Sequence, residues 1–181
     1  MKNKALIIID MQYDFVDYHN CRSRIQRMYK SRILSIRKSI RFAKNNLWNI
    51  IVVEYRGYGP TLVDIKDEIG SYKYHTCMKS ENDGTPSLSR LFKRLKITEA
   101  YYCGCNADAC VLDTWRGMRG ENYSHGVPNC RHVVYVPGSM TFDCRTIRAN
   151  STNVIKEYYY SIFSKSHGAV NRGYISLRLA A

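Results

Sequence analysis

The sequence predicts an α/β protein built on a parallel sheet with helices on both faces. Three observations lead there. Residues 5–9, 48–54 and 132–136 are short, nearly continuous apolar runs rich in Ile and Val, the pattern of strands buried on both faces. Longer segments between them repeat apolar residues at helical spacing. Turn chemistry or a lone acid closes the runs, as at Asp10, 55–60 and Pro137-Gly138. Strands alternating with helices imply right-handed crossovers and a parallel sheet.

The elements follow in order. Residues 5–9 form the first strand. A helix over 22–44 buries Ile25, Met28, Ile33, Ile36, Ile40 and Ala43, and Asn45 and Asn46 suit its left-handed end. The second strand is 48–54, followed by a Gly-rich loop at 55–60 and a short helix at 61–69 over the site. The third strand is 74–78. Asn82-Asp83-Gly84-Thr85-Pro86 is a turn cluster. A helix over 87–95 turns Leu88, Leu91, Phe92 and Leu95 inward. The fourth strand is 99–103, and a helix over 108–118 follows with Asp108 as its N-cap. The fifth strand, 132–136, stops at Pro137-Gly138. A helix over 151–163 turns Val154, Ile155, Tyr158 and Ile162 to one face, and a last strand lies within 168–177. No repeat or linker divides the chain, so one domain over 1–181 is expected.

Composition narrows the function. The 181 residues suffice for one α/β domain, and a hydrophobic content of 45% permits a real core. No apolar run approaches the roughly 20 residues that cross a bilayer. The first apolar stretch belongs to a strand, not to a signal peptide. A cytoplasmic location without membrane contact is therefore expected. Seven cysteines, an odd number without a secretory signal, point to reduced thiols. No CxxC pair exists, and Cys103 and Cys105 read as small buried hydrophobes rather than zinc ligands.

The net charge of +13 invites a nucleic-acid partner, since no acidic residue occurs between Cys21 and Val53. Yet those residues also have the periodicity of an amphipathic helix, whose basic face is solvated without any partner. A small-molecule substrate, and not nucleic acid, is the expected ligand.

Two segments carry chemistry. Asp10 ends a buried strand, and in open α/β sheets ligands collect at the carboxyl ends of strands. Gly104-Cys105-Asn106-Ala107-Asp108-Ala109-Cys110-Val111 reads as a strand, a tight turn and a helix start. A thiol in the first helical turn, as at Cys110, has its thiolate stabilised by the helix dipole, and the free N–H groups there suit an oxyanion. Each residue has a plainer reading. Asp10 alone caps a turn, Cys110 alone is a buried thiol, and Lys79 alone is a surface lysine with Lys73 as its competitor.

Together these segments resemble a known family. Leu6-Ile7-Ile8-Ile9-Asp10-Met11-Gln12-Tyr13-Asp14-Phe15 is similar to the opening motif of the isochorismatase-like cysteine hydrolases, and 104–111 is similar to their nucleophile motif. Lys79, in His75-Thr76-Cys77-Met78-Lys79-Ser80, stands at the place of the family's catalytic lysine. The resemblance implies a three-layer αβα sandwich with a six-stranded, mostly parallel sheet in the order 3-2-1-4-5-6. It implies Asp10, Lys79 and Cys110 as catalytic residues. It also implies an oxyanion hole from the backbone N–H groups of Asn106 and Cys110, with a cis peptide before Asn106. Relatives commonly form dimers or larger homo-oligomers.

The expected reaction is hydrolysis of a C–N bond in a small amide or ureide through a Cys110 thioester. Asp10 acts as general base and Lys79 as electrostatic partner, with Tyr13, Glu54, Tyr58 and Trp115 as candidate pocket residues. Arg56, Tyr58 and Lys73 at the mouth would favour an anionic substrate. Nicotinamidases hold a metal on an Asp-x-His pair after the second strand; here that place reads Glu54-Tyr55-Arg56. A charged guanidinium offers no lone pair to a metal, so no metal and no cofactor are expected. Two other classes stay open at this point. One is a non-catalytic protein of the same fold that binds an acidic partner or nucleic acid through its basic surface. The other is a thiol-redox protein using Cys105 with Cys110.

Overall fold

The computed structural model describes residues 3–16, 23–107, 109–117, 130–140 and 172–175. Among the described residues, six strands form one sheet, β1 (Lys4–Ile9), β2 (Asn49–Tyr55), β3 (Tyr74–Lys79), β4 (Glu99–Cys105), β5 (Arg131–Met140) and β6 (Arg172–Ile175). Their order is β3-β2-β1-β4-β5-β6, as expected, and every pairing is parallel. Among the described residues, four helices cover the sheet, α1 (Ser23–Asn45), α2 (Val63–Ile69), α3 (Thr85–Leu95) and α4 (Cys110–Arg116).

The pleat of β1 sorts the core into two layers. Ala5, Ile7 and Ile9 pack with Leu88 and Phe92 of α3 and with Val111 and Trp115 of α4. Leu6 and Ile8 pack with Ile33, Ile36 and Ile40 of α1 and Ile65 and Ile69 of α2. Successive strand residues point to opposite faces, so a run such as Leu6-Ile7-Ile8-Ile9 must be apolar throughout. The chain winds one way from β1 to β3 and returns through β4, which puts the switch point of the sheet at the carboxyl ends of β1 and β4.

Glu68 accounts for part of the basic charge on α1. Its carboxylate lies 2.8 Å from Arg37 Nε and 2.9 Å from Arg41 Nη1. Lys44 Nζ donates to the carbonyls of Glu68 and Ile69 at 2.8 and 3.2 Å. These contacts hold α2 against α1.

Three elements differ from the sequence expectation. β5 runs through Pro137-Gly138 instead of stopping there, because its register against β4 jumps from Tyr102↔Val134 to Gly104↔Ser139. The proline thus falls in an irregular stretch where no ladder N–H is required. α3 begins at Thr85, with proline in its first turn, a position that does not use the missing N–H. α4 begins at Cys110 and has Ala109 in the capping position without a side-chain cap. Asp108 and the helix expected at 151–163 lie outside the described residues.

Candidate active site

β1 delivers Asp10 to the switch point. The residue takes φ 49°, a left-handed conformation that Asp tolerates better than most side chains. Its N–H donates to the Val53 carbonyl at 2.9 Å, tying the exit of β1 to β2. The carboxylate is fully buried.

Lys79 ends β3 on the same face as the buried Cys77, while its competitor Lys73 is exposed. Its ammonium lies 2.8 Å from Asp10 Oδ2, and both side chains are almost wholly buried. Nζ also donates to the carbonyls of Glu81 and Asn82 at 3.0 and 3.3 Å and stands 4.2 Å from the ring centroid of Tyr55. A carboxylate, two carbonyls and an aromatic face replace the water a buried ammonium loses.

The third group comes from the other half of the sheet. Gly104 has φ +124°, and a Cβ there would lie 2.0 Å from the Ile9 carbonyl oxygen. Only glycine lets β1 and β4 approach so closely at their ends. The Cys105–Asn106 peptide bond is cis. The Asn106 carbonyl then accepts the N–H groups of Ala109 and Val111 at 3.2 and 2.9 Å, closing the turn into α4. Cys110 consequently starts the helix, with its N–H in the first turn, where no helical acceptor exists.

The charges of the Asp10 carboxylate and the Lys79 ammonium both act on the Cys110 thiol. Its Sγ also lies 3.5 Å from Asn82 Oδ1. Burial raises the Asp10 pKa above the ordinary carboxylate value, while the charge of Lys79 pulls the other way. Burial first, and the charge of Asp10 second, push the thiol up to about 12 against the pull of Lys79. Desolvation and the neighbouring anion thus oppose the stabilising pull of Lys79 on the sulfur.

The candidate pocket residues fall into two groups. Tyr13 and Tyr58 are 37% and 46% exposed. The Tyr13 hydroxyl accepts the Val63 N–H at 3.3 Å. Tyr58 stacks on Phe15 at 4.3 Å and meets Tyr55, the ring beneath Lys79, edge-on at 5.1 Å. Glu54 and Trp115 are engaged elsewhere. Glu54 Oε1 accepts the Thr61 hydroxyl at 2.5 Å and its N–H at 3.3 Å, bracing the loop between β2 and α2. Trp115 lies in the core layer beneath α3 and α4 at 2% exposure.

Sequence reasoning assigned no role to Gln12 or Asn82. The Gln12 side chain is buried. Its Nε2 lies 3.1, 3.1 and 2.7 Å from the carbonyls of Tyr55, Tyr58 and Gly59, and its Oε1 accepts the Tyr55 N–H at 2.7 Å. It is the pin of the aromatic loop. Its place in the opening motif was the available signal. Asn82 was read only as part of a turn.

The place where a nicotinamidase-type metal would sit does not fit one. Glu54 is bonded to Thr61, Arg56 holds the third position, and no group of three or more His, Cys, Asp or Glu suited to a metal occurs among the described residues. Among the described residues, no helix is long and apolar enough to cross a membrane.

A doubly wound αβα sandwich with buried polar groups converging at its switch point belongs to the α/β enzymes whose chemistry sits at strand ends. Within that class, residues 4–134 match the model of the isochorismatase domain, and the chain belongs to the isochorismatase family and is a hydrolase. Solved structures agree in fold. The nicotinamidase of Staphylococcus aureus matches with a TM-score of 0.62 at 18% identity, over 92% of this chain and 94% of its own. For the N-carbamoylsarcosine amidase of Thermoplasma acidophilum the values are 0.64, 16%, 96% and 95%. An isochorismatase-like hydrolase of Alkaliphilus metalliredigens gives 0.67, 13%, 96% and 94%. No curated protein sequence matches the chain significantly.

Proposed function

We propose that the protein is a thiol-dependent amidohydrolase that cleaves the C–N bond of a small amide or ureide. The observation that carries this reading is the meeting of Asp10, Lys79 and Cys110 at the switch point, with a carboxylate and an ammonium 2.8 Å apart beside a thiol.

The chemistry follows from the charges. Asp10, raised in pKa by burial, is a stronger base than an ordinary carboxylate and takes the thiol proton as Sγ attacks the substrate carbonyl carbon. Lys79 offsets the negative charge, which would otherwise be shared by two neighbouring groups. The backbone N–H groups of Asn106 and Cys110 receive the oxyanion. The C–N bond then breaks, and Asp10 returns its proton to the leaving nitrogen. Water, deprotonated by Asp10, attacks the thioester; the C–S bond breaks and the sulfur regains a proton. Tyr13 and Tyr58, half-exposed on the loops beside Lys79, form the substrate-facing wall in this reading.

The test is a panel of small amides and ureides screened for ammonia release, with Cys110→Ala as the blank. Turnover lost in that variant, together with an acyl adduct on Cys110 by mass spectrometry after rapid quenching, supports the reading. Turnover that survives Cys110→Ala sinks it.

A further inference from the structure

We propose that Asn82 is a further catalytic residue of this site, its side-chain amide donating a hydrogen bond to the Cys110 sulfur as the thiol proton leaves. The inference rests on the amidohydrolase reading above.

Three observations carry it. First, Asn82 is exposed while Cys110 is 3% exposed, and Asn82 Oδ1 lies 3.5 Å from Sγ. The amide therefore lies against the sulfur on a residue that reaches solvent. Second, Asn82 is held from two sides. Its carbonyl accepts Lys79 Nζ at 3.3 Å and the Thr114 hydroxyl at 3.2 Å. Thr114 stands one helical turn beyond Cys110, and its Oγ1 also accepts the Gly84 N–H at 2.9 Å. A side chain at Gly84 would be tight, since a Cβ would lie 3.1 Å from that oxygen. The loop is thus fastened to the helix that carries the nucleophile and to the lysine beside it.

Third, the resting thiol donates its one proton to Asn82 Oδ1, with the Asp10 carboxylate acting on it as a neighbouring charge. An ionised carboxylate is the stronger acceptor, so the proton goes to Asp10 as the sulfur is deprotonated. The amide oxygen is then left without a donor from sulfur. A half-turn about the last side-chain bond of Asn82 exchanges Oδ1 for Nδ2 without moving the heavy-atom frame. That turn gives the sulfur lone pairs an N–H donor. Hydrogen bonding to the charged form favours it. Asp10 from β1 and Lys79 from β3 are the charged groups acting on the sulfur; Asn82 adds a neutral donor. The proton passes from Sγ to the Asp10 carboxylate and nothing else is transferred.

The experiment measures second-order alkylation of Cys110 by iodoacetamide between pH 7 and 9.5, by mass spectrometry, in the full chain. Asn82→Ala should react about tenfold more slowly than the unaltered protein at each pH. Asn82→Asp, equal in shape but without donors, should be at least as slow as Asn82→Ala. Circular dichroism and the urea midpoint report folding. If Asn82→Ala fails to fold, Asn82→Leu, close in shape and without donor or charge, takes its place. A folded Asn82 variant that reacts as fast as the unaltered protein, or faster, overturns the proposal and leaves the nucleophile reading intact. Cys110 that is inert in the unaltered protein yet reactive in urea overturns both.

Discussion

The Lys79 ammonium and the Asp10 carboxylate meet at 2.8 Å across a strand that belongs to neither. β2 lies between β1 and β3, with Tyr55 in register with Lys79 and its ring 4.2 Å from the ammonium. The pair therefore closes the carboxyl end of three strands over one aromatic side chain. Its two charges lie at 1% and 0% side-chain exposure, so removing either leaves the other buried and uncompensated.

Lys79→Ala is expected to cost roughly 3–5 kcal/mol near neutral pH, the usual effect of breaking a buried pair from one side. The loss should shrink toward pH 4, because an unpaired Asp10 escapes the penalty by taking up a proton. Urea unfolding at several pH values checks this. A loss that does not vary with pH contradicts a buried, ionised Asp10.

The pH dependence of turnover follows from the raised pKa of Asp10. Its base form is lost as pH falls, so the acid limb of kcat/KM should lie above the ordinary carboxylate pKa of about 4. Stability runs the other way. A carboxyl whose folded pKa exceeds its unfolded value contributes most below the unfolded value and loses that contribution as pH rises through the folded one. Asp10→Asn should remove turnover, because it takes away the base that receives the thiol proton. An Asp10→Asn variant that keeps its turnover refutes that role.

Gly104→Ala should lose more than about 3 kcal/mol, since the added carbon meets backbone rather than a flexible side chain. The added carbon would meet the Ile9 carbonyl oxygen, beside Asp10, so any relief moves the acid away from the thiol. A soluble, active Gly104→Ala would contradict the close approach of β1 and β4.

Glu68→Gln should have a far smaller effect. Arg37 and Arg41, its partners, are 37% and 48% exposed, and solvent-screened pairs contribute about 1 kcal/mol or less. The difference in melting temperature from the unaltered protein should narrow in high salt. A large, salt-insensitive drop would mean that α2 depends on Glu68 in another way.

Strand identity was legible wherever burial on both faces forces an unbroken apolar run, as in Leu6-Ile7-Ile8-Ile9 and Ile50-Ile51-Val52-Val53. It failed at Pro137, because a register jump against β4 that local propensity does not encode carries the strand past the proline. Lys79 over Lys73 was legible only through resemblance; the structure separates them by the pleat, which turns Lys79 inward with Cys77. Asn82 was illegible as more than a turn residue, because its place beside Cys110 depends on Thr114, 32 positions along the chain. The fate of Glu54 was undecided for a similar reason, since only the folded loop offers it Thr61.

The sequence by itself determined the alternation of strands and helices, the two-sided apolar sheet and the residue that ends β1. All of these follow from local periodicity and from backbone preferences acting over a few residues. Tertiary structure alone decided which side chains face one another, and so the direction in which the Asp10 carboxyl and the Cys110 thiol are shifted. That outcome depends on how completely water is excluded around Asp10, Lys79 and Cys110, and solvent exclusion exists only once the two halves of the sheet have closed on each other.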